Sequence, residues 1–135
     1  MKNFVIFFLV LGFVMVSKAQ NAPEKSNLIV ITLGSEPSVD ALKKVLESNG
    51  YVVKNGKAEN ELITNHKNLK NNTRLVVNTK TEGSIVYLTG SIVISGQSNL
   101  KVEKKPGKGS PIHIAWDELE KVAKSFKGSV AYEKK

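Results

Sequence analysis

Cysteine is absent from the 135 residues of this chain. Its absence excludes disulfide bonds, thiol nucleophiles and thiolate metal ligands. It also excludes the lipid anchor that exported bacterial proteins attach to a cysteine. Small secreted domains of eukaryotes usually depend on disulfides, so an exported chain without them is more typical of a bacterium.

Histidine is also scarce, and the two that are present lie far apart. His66 lies in a polar segment with no acidic neighbour close by, and His113 stands alone near the start of a predicted helix. A metal site needs several ligands that converge at a defined spacing. The sequence therefore predicts no metal site and no cofactor, and each histidine is interpreted as packed or solvent-exposed.

Arginine occurs once, at Arg74, although the chain is strongly basic. When Lys2 and Lys18 at the N-terminus are set aside, 18 basic side chains oppose 12 acidic ones, a formal charge of +6. Sequence-specific readout of nucleic acid depends on the arginine fork, so we predict no nucleic-acid partner. The lysine excess is interpreted as a contribution to solubility, with attraction to an anionic polymer as the alternative.

The long apolar run of the chain is confined to residues 4–16. Lys2 precedes this run, and Ser17-Lys18-Ala19 follows it with small residues at both specificity positions before Gln20. A charged start, a short apolar stretch and a small-x-small site are typical of a secretory signal peptide. The run is shorter than the roughly 20 apolar residues that a membrane-spanning helix needs. We therefore expect cleavage between Ala19 and Gln20 to remove residues 1–19, which gives a protein that is exported to the periplasm or the extracellular medium and does not span a membrane.

The 116 residues that remain after cleavage are enough for one hydrophobic core, but not for two. Residues 20–26 are polar and contain Pro23, so they are interpreted as a flexible lead-in. Residues 27–133 are interpreted as a single domain, because no repeat and no long linker divides them.

Helical and strand-like patterns alternate along residues 27–133 in a way that predicts an α+β fold. Apolar stripes at helical spacing predict two helices, the first capped by Ser35 or Ser38 and the second starting at Ser110 and Pro111. Period-two alternation predicts strands elsewhere. The predicted order is β-α-β-β-β-β-α-β, and we expect a two-layer sandwich in which a mostly antiparallel sheet has both helices on one face.

Glycine and asparagine predict several turns. Asn55-Gly56 lies between two strand-like segments and predicts a two-residue hairpin turn in which both residues have a positive φ. Gly50 and Gly128 are predicted to end the two helices. Gly90 is predicted to leave room in a strand for a close neighbour, either a helix or a bulge.

The strand that begins at Ile85 has two faces of different character. One face is mainly apolar, whereas the other carries Ile85, Tyr87 and Val93 among polar residues. A partly apolar strip of this kind can form a binding surface for a peptide or a glycan. The alternatives are that the polar loop at residues 65–72 covers the strip, or that a neighbouring molecule does.

No motif in the chain predicts catalysis. No Gly-x-Ser-x-Gly segment and no Ser-x-x-Lys with supporting motifs is present to provide an activated nucleophile. Glu59 and Glu61 are interpreted as solvated strand residues, and Asp117, Glu118 and Glu120 as carboxylates that compensate a helix dipole. We therefore predict no catalytic residue and a protein that is not an enzyme, with an enzyme of unknown type as an alternative.

The basic connection at residues 101–110 is the candidate for anion binding. Lys104, Lys105, Lys108 and Ser110 lie just before a predicted helix, whose free amide groups attract anions. The segment departs from the phosphate-binding loop pattern, because a glycine separates Lys108 from Ser110 and an earlier glycine is missing. The loop therefore predicts binding of an anion or a surface polymer without nucleotide hydrolysis. The alternative is a flexible loop in which Ser110 only caps the helix.

The order of elements in residues 39–132 gives a resemblance. A helix, Gly50-Tyr51, a strand, a turn, the Leu-Ile-Thr segment at 62–64, two long strands and a helix led by Trp116 follow one another. This layout is similar to that of helix-grip domains in the BamC family of outer-membrane assembly lipoproteins. The resemblance implies a non-enzymatic envelope role, although the chain lacks the lipidated cysteine of that family. We expect a non-catalytic binding or accessory domain, with an envelope protein or an anionic polymer as its partner.

Overall fold

A computed structural model of the protein describes residues 22–93, 100–105 and 109–135. The predicted leader with its cleavage site at Ala19 and Gln20, and Lys108 of the basic connection, lie outside these residues. Within them the chain forms two helices and one sheet of eight strands. In chain order the elements are β1 (Leu28–Thr32), α1 (Val39–Ser48), β2 (Val53–Asn55), β3 (Glu61–Thr64), β4 (Lys67–Asn68), β5 (Arg74–Glu82), β6 (Ile85–Val93), β7 (Leu100–Lys101), α2 (Pro111–Ser125) and β8 (Ser129–Glu133).

The sheet is antiparallel at every described strand pair, and its order is β2-β3-β5-β6-β1-β8. The nine-residue strands β5 and β6 form the central hairpin. Two further strands of two residues each pair with this hairpin: β4 pairs with β5, and β7 pairs with β6. This architecture confirms the predicted α+β sandwich, whereas the sequence did not predict β4 and β7.

Both helices contribute to one hydrophobic core on the same side of the sheet. Alternate residues of β6 point into this core, and Val86, Leu88 and Ile92 are fully buried there. Trp116 and Leu119 of α2 are also fully buried. None of the helices in the described ranges is long and apolar enough to cross a membrane.

The predicted helix ends are largely confirmed. The Ser38 hydroxyl accepts a hydrogen bond of 3.1 Å from the Ala41 amide, so Ser38 rather than Ser35 caps α1. Gly50 has a φ of +91° and, as predicted, provides the left-handed residue after α1. Its amide donates to the Glu47 carbonyl, which satisfies one of the free carbonyl groups at the end of the helix.

The predicted role of Gly128 is wrong, because Lys127 takes the left-handed conformation after α2, with a φ of 58°. Gly128 is required for a different reason. A Cβ atom at this position would lie 2.5 Å from the carbonyl oxygen of Thr32 in β1. A glycine therefore allows the chain to pass close to β1 before it pairs with it as β8.

The prediction of a two-residue turn at Asn55-Gly56 is also wrong, because neither residue has a positive φ. Strands β2 and β3 do form a hairpin, but its connection is longer and closes on Glu61. The Gly56 amide donates to the Glu61 carbonyl at 2.8 Å, and the Lys57 amide donates to the Glu61 carboxylate at 3.1 Å. A Cβ atom at Gly56 would lie 2.6 Å from the Glu61 side chain, so this glycine makes space rather than a turn.

A turn with two positive φ angles occurs instead at Asn71 and Asn72, with values of 55° and 56°. The Thr73 amide donates to the Lys70 carbonyl at 3.1 Å and closes this turn. Asparagine tolerates the left-handed region better than most residues, which suits this position. The segment predicted as a polar loop is therefore partly a tight hairpin that joins β4 to β5.

Candidate functional site

The face of the sheet opposite the helices is partly exposed, and we call it the helix-free face. It consists of the half-buried residues that alternate with the core residues along β5 and β6. The structure places the predicted residues Ile85, Tyr87 and Val93 together on this face, each of them half-buried. The register adds Val30 of β1, which lies opposite Tyr87.

A shallow trough runs across the helix-free face. It consists of two concavities of about 640 and 400 Å³ that share Asn78, Thr89 and Lys135. The larger concavity, the basic end of the trough, is also lined by Ile63, Val76, Ser91 and Lys101. The smaller concavity, its mixed end, is also lined by Leu28, Lys80, Glu82, Tyr87, Glu133 and Lys134.

The polar loop at residues 65–72 does not cover this trough. Its strand β4 pairs with the edge of β5, and its residue Leu69 packs against the core. Asn68, Leu69 and Lys70 instead line a separate groove of about 620 Å³ beside Ile114 of α2. Because this groove lies on the helical side, the loop leaves the Tyr87 face open.

Burial and the carboxylates that gather at the mixed end of the trough raise the pKa of Tyr87. Burial is the first cause of this raised pKa, followed by the charges of Glu82 and Glu133. The Tyr87 hydroxyl lies 3.5 Å from a Glu82 carboxylate oxygen. At the neighbouring β3 edge, the Asn78 amide donates to the Glu61 carboxylate at 2.8 Å, and this hydrogen bond is the main cause of the lowered pKa of Glu61.

The basic end has a different electrostatic character. All twelve Asp and Glu residues belong to the described parts of the chain. None of these carboxylates lies within 4.0 Å of a side-chain nitrogen of Arg74, Lys101 or Lys135. The main chain of Lys135 is held in place by Asn27, whose side chain accepts from the Lys135 amide at 2.8 Å. Lys101 and Lys135 line the basic end, and Arg74 lies two residues before Val76 on the same face of β5. This part of the face therefore presents cations that Asp and Glu side chains do not neutralise by direct ion pairs.

The predicted anion-binding residues of the basic connection are held by separate parts of the fold. The Lys104 amide donates to the Ser26 carbonyl at 2.8 Å, which fixes this segment to the lead-in, and the Lys105 side chain is exposed. The Ser110 hydroxyl accepts from the His113 amide at 3.2 Å and caps α2. No hydrogen bond among the described residues joins Lys104 or Lys105 to Ser110.

The histidines do not form a metal centre in the described residues, where no three His, Asp or Glu side chains converge. His66 is exposed. His113 lies with its Nδ1 atom 3.3 Å from a carboxylate oxygen of Asp117, one turn further along α2. This contact is a local helix pair.

A polar junction that the sequence did not predict connects α1, β4 and α2. The Lys67 ammonium lies 2.9 Å from a carboxylate oxygen of Glu118 and 2.6 Å from the Asn49 carbonyl oxygen. It also lies 5.1 Å from the centre of the Tyr51 ring, whose hydroxyl donates to Glu118 at 3.2 Å. The ammonium thus satisfies both a free carbonyl at the end of α1 and a carboxylate of α2.

All three tyrosines of the chain have a raised pKa, and burial is the first cause in each case. The Glu118 carboxylate adds to the effect at Tyr51. At Tyr132, burial and the charge of Glu120 raise the pKa to about 12. In each case the environment disfavours the negatively charged phenolate.

We expect the tyrosines of the folded protein to ionise clearly above their ordinary pKa of 10.0. The folded-state pKa values exceed the unfolded ones. The stabilising contribution of the neutral tyrosine side chains is therefore complete below a pH of about 10 and is lost as the pH rises further. The free energy of unfolding should therefore fall between about pH 10 and 12, and Tyr51→Phe with Tyr132→Phe should flatten this decline. Ultraviolet absorbance of tyrosinate and denaturant unfolding measure the two effects. Ionisation of all three tyrosines near pH 10 in the folded protein would contradict the prediction.

The trough on the helix-free face combines concavity, hydrogen-bonding side chains and unneutralised cations. The groove beside α2 lies next to the Lys67 junction, whose polar groups are already paired. The trough is therefore the stronger candidate for binding. Comparisons of the chain with models of protein families, with curated proteins and with solved structures found no match.

Proposed function

We propose that this protein is an exported, non-catalytic binding domain of the bacterial periplasm or extracellular medium, and that it holds its partner in the trough of the helix-free face. The observation that carries this proposal is the open trough itself, which lies on the side of the sheet that neither helix covers. A sheet in a two-layer sandwich buries one face and leaves the other available. Tyr87 and its neighbours occupy that available face.

The lining of the trough supports binding rather than catalysis. Amide, hydroxyl, phenol, ammonium and carboxylate groups line it, and these groups recognise a partner by hydrogen bonds and charge. Glu61 at its border has a lowered pKa, because it accepts a hydrogen bond from Asn78. A carboxylate that is held ionised in this way is a poor general acid.

The proposed location rests on the N-terminal residues. Residues 1–19 combine a positive charge, a short apolar run and a small-x-small site, which together are typical of a leader for export. The resemblance in layout to envelope domains supports the same location. An envelope protein or an anionic polymer outside the cell would be the partner.

Site-specific photo-cross-linking in intact bacteria that express the full chain tests this proposal. A photoreactive amino acid at Tyr87 should give an adduct in the exported fraction, and mass spectrometry of that fraction should find a mature chain that starts at Gln20. The same group at Lys124, exposed on the outer side of α2, is the matched control and should give none.

Other outcomes of this experiment would contradict the proposal. An adduct from Lys105 but not from Tyr87 would favour the basic connection as the binding site. Equal adducts from Tyr87 and Lys124, or none from either, would exclude a specific partner on the helix-free face. Recovery of the protein in the cytosol with its first nineteen residues intact would exclude the proposed location.

A further inference from the structure

We infer that the partner held in the trough is an acidic polysaccharide, and that Lys101 at the basic end and Arg74 beside this end bind its negatively charged groups. This inference rests on the proposed function and adds the chemical class of the ligand. Three features of the helix-free face carry it: the register of the charged residues, the polar floor of the trough and the paired backbone of the sheet beneath it.

The register brings the cations to one end of the face. Arg74 of β5 pairs with Val93, and two residues further along β5 Val76 pairs with Ser91. On the other side of β6, Ser91 pairs with Lys101 of β7. Arg74 and Lys101 therefore flank β6 from both sides, separated across the strands by roughly 10 Å, or two strand spacings. Long basic side chains at this separation can reach two successive charges of one polymer.

The cations at this end are available to a ligand. Every acidic residue of the chain lies in the described ranges, and none of them forms an ion pair with Arg74, Lys101 or Lys135. Arg74 is the single arginine of the chain, and its planar fork matches the paired oxygens of a carboxylate or a sulfate. The acidic residues that border the trough lie at the other end, near Tyr87.

The floor between these cations suits a sugar chain. Asn78, Thr89 and Ser91 offer an amide and two hydroxyl groups as partners for sugar hydroxyls. Ile63 and Val76 add a partly apolar surface for ring carbon atoms. A small inorganic anion would use the charges but not this extended floor.

The paired backbone beneath the trough favours a polysaccharide over a peptide. The two concavities meet at the cross-strand pair Asn78 and Thr89, and their other lining residues on β5 and β6 follow these strands in opposite directions from that pair. The backbone groups of the central strands already pair with their neighbours in the sheet. A peptide on this face therefore cannot add itself as a strand, which removes the main-chain hydrogen bonds that give such peptides their affinity.

Titration of the mature protein with oligosaccharides of dextran sulfate and of polygalacturonate tests the inference, with unsulfated dextran as the matched neutral ligand. Both acidic ligands should shift the backbone amide signals of Thr89, Ser91 and Lys101, and dextran should not. Arg74→Gln combined with Lys101→Gln should weaken binding by about tenfold or more, because two charge-assisted contacts are lost. Lys44→Gln combined with Lys124→Gln removes the same charge from the exposed helix surfaces and should change the affinity by less than about twofold.

The control ligands separate failure of this inference from failure of the proposed function. Equal binding of dextran, or an equal loss of affinity in both double variants, would overturn the assignment to Arg74 and Lys101. Poly-glutamate that shifts the same signals more strongly would replace the polysaccharide with an acidic peptide and leave the helix-free face as the binding surface. If no probe shifts these signals while Tyr87 still cross-links, this inference alone is wrong, whereas the absence of the cross-link as well would contradict the proposed function.

Discussion

Replacing Leu119 with alanine should lower the free energy of unfolding by about 3–5 kcal/mol. Leu119 is fully buried on α2, and its two methyl groups face β6 at Gly90, where a Cβ atom would lie 3.4 and 3.5 Å from them. The substitution removes buried apolar surface and leaves a cavity that a packed core can fill only in part. Denaturant unfolding followed by circular dichroism measures the change.

Two further variants make this prediction specific. Val52→Ala is the control, because Val52 is 62% exposed and its loss should change the unfolding free energy by less than about 0.5 kcal/mol. Gly90→Ala should cost less in the Leu119→Ala background than in the natural chain, because the new methyl group keeps its close contact with Leu75 at 3.0 Å but no longer meets Leu119. Strictly additive effects of the two substitutions would show that α2 does not pack on Gly90 as described.

Replacing Lys67 with methionine should lower the free energy of unfolding by about 2–3 kcal/mol. Methionine keeps the length and much of the apolar contact of the lysine, but it leaves the Glu118 carboxylate and the Asn49 carbonyl without their shared donor. The side chains of Lys67 and Glu118 are 27% and 12% exposed, so the expected loss is below that of a fully buried ion pair.

A double variant tests the cause of this loss of stability. Lys67→Met combined with Glu118→Leu should recover most of the lost stability, because no carboxylate is then left without a cation. Lys70→Met, at an exposed position of the same loop, serves as the control. A loss in Lys67→Met no larger than in this control would mean that the junction does not connect the two helices energetically.

Two clusters, the contact of Leu119 with Gly90 and the Lys67 junction, keep the helices on one side of the sheet. This arrangement leaves the trough open. Leu119 fixes α2 against the central hairpin, and the Lys67 junction connects the ends of α1 and α2 through β4. Gly90 also lines the basic end of the trough, whereas Leu119 and the residues of the Lys67 junction do not line it. Apart from Gly90, substitutions in the trough can therefore be read as effects on binding, and substitutions in the clusters as effects on stability.

The sequence by itself determined the elements whose signals are local. The two helices follow from apolar stripes at helical spacing and from the caps Ser38 and Ser110, each of which acts on an amide three residues away. The central hairpin follows from alternation along β6, which also placed Tyr87 on the face away from the core. Such signals are readable because all the interacting groups lie within one or two turns or strands of the chain.

Only the tertiary structure decided the features that join distant residues. The partners Lys67 and Glu118 are 51 positions apart, and no pattern around either residue indicates the other. The turn at Asn71 and Asn72 forms because β4 pairs with β5, whereas Asn55-Gly56 has the stronger local signal but closes on Glu61 instead. Pairing between strands competes with local turn preference, and here the pairing prevails.

The same distinction applies to the candidate site. Alternation predicted the Tyr87 strip, but the approach of Arg74 and Lys101 to β6 from its two sides depends on which strands lie beside β6 and in which register. A shift of one residue in that register would turn every side chain of a strand to the other face. The excess of positive charge is visible in the sequence, whereas the placement of these cations near one end of the trough depends on the folded sheet.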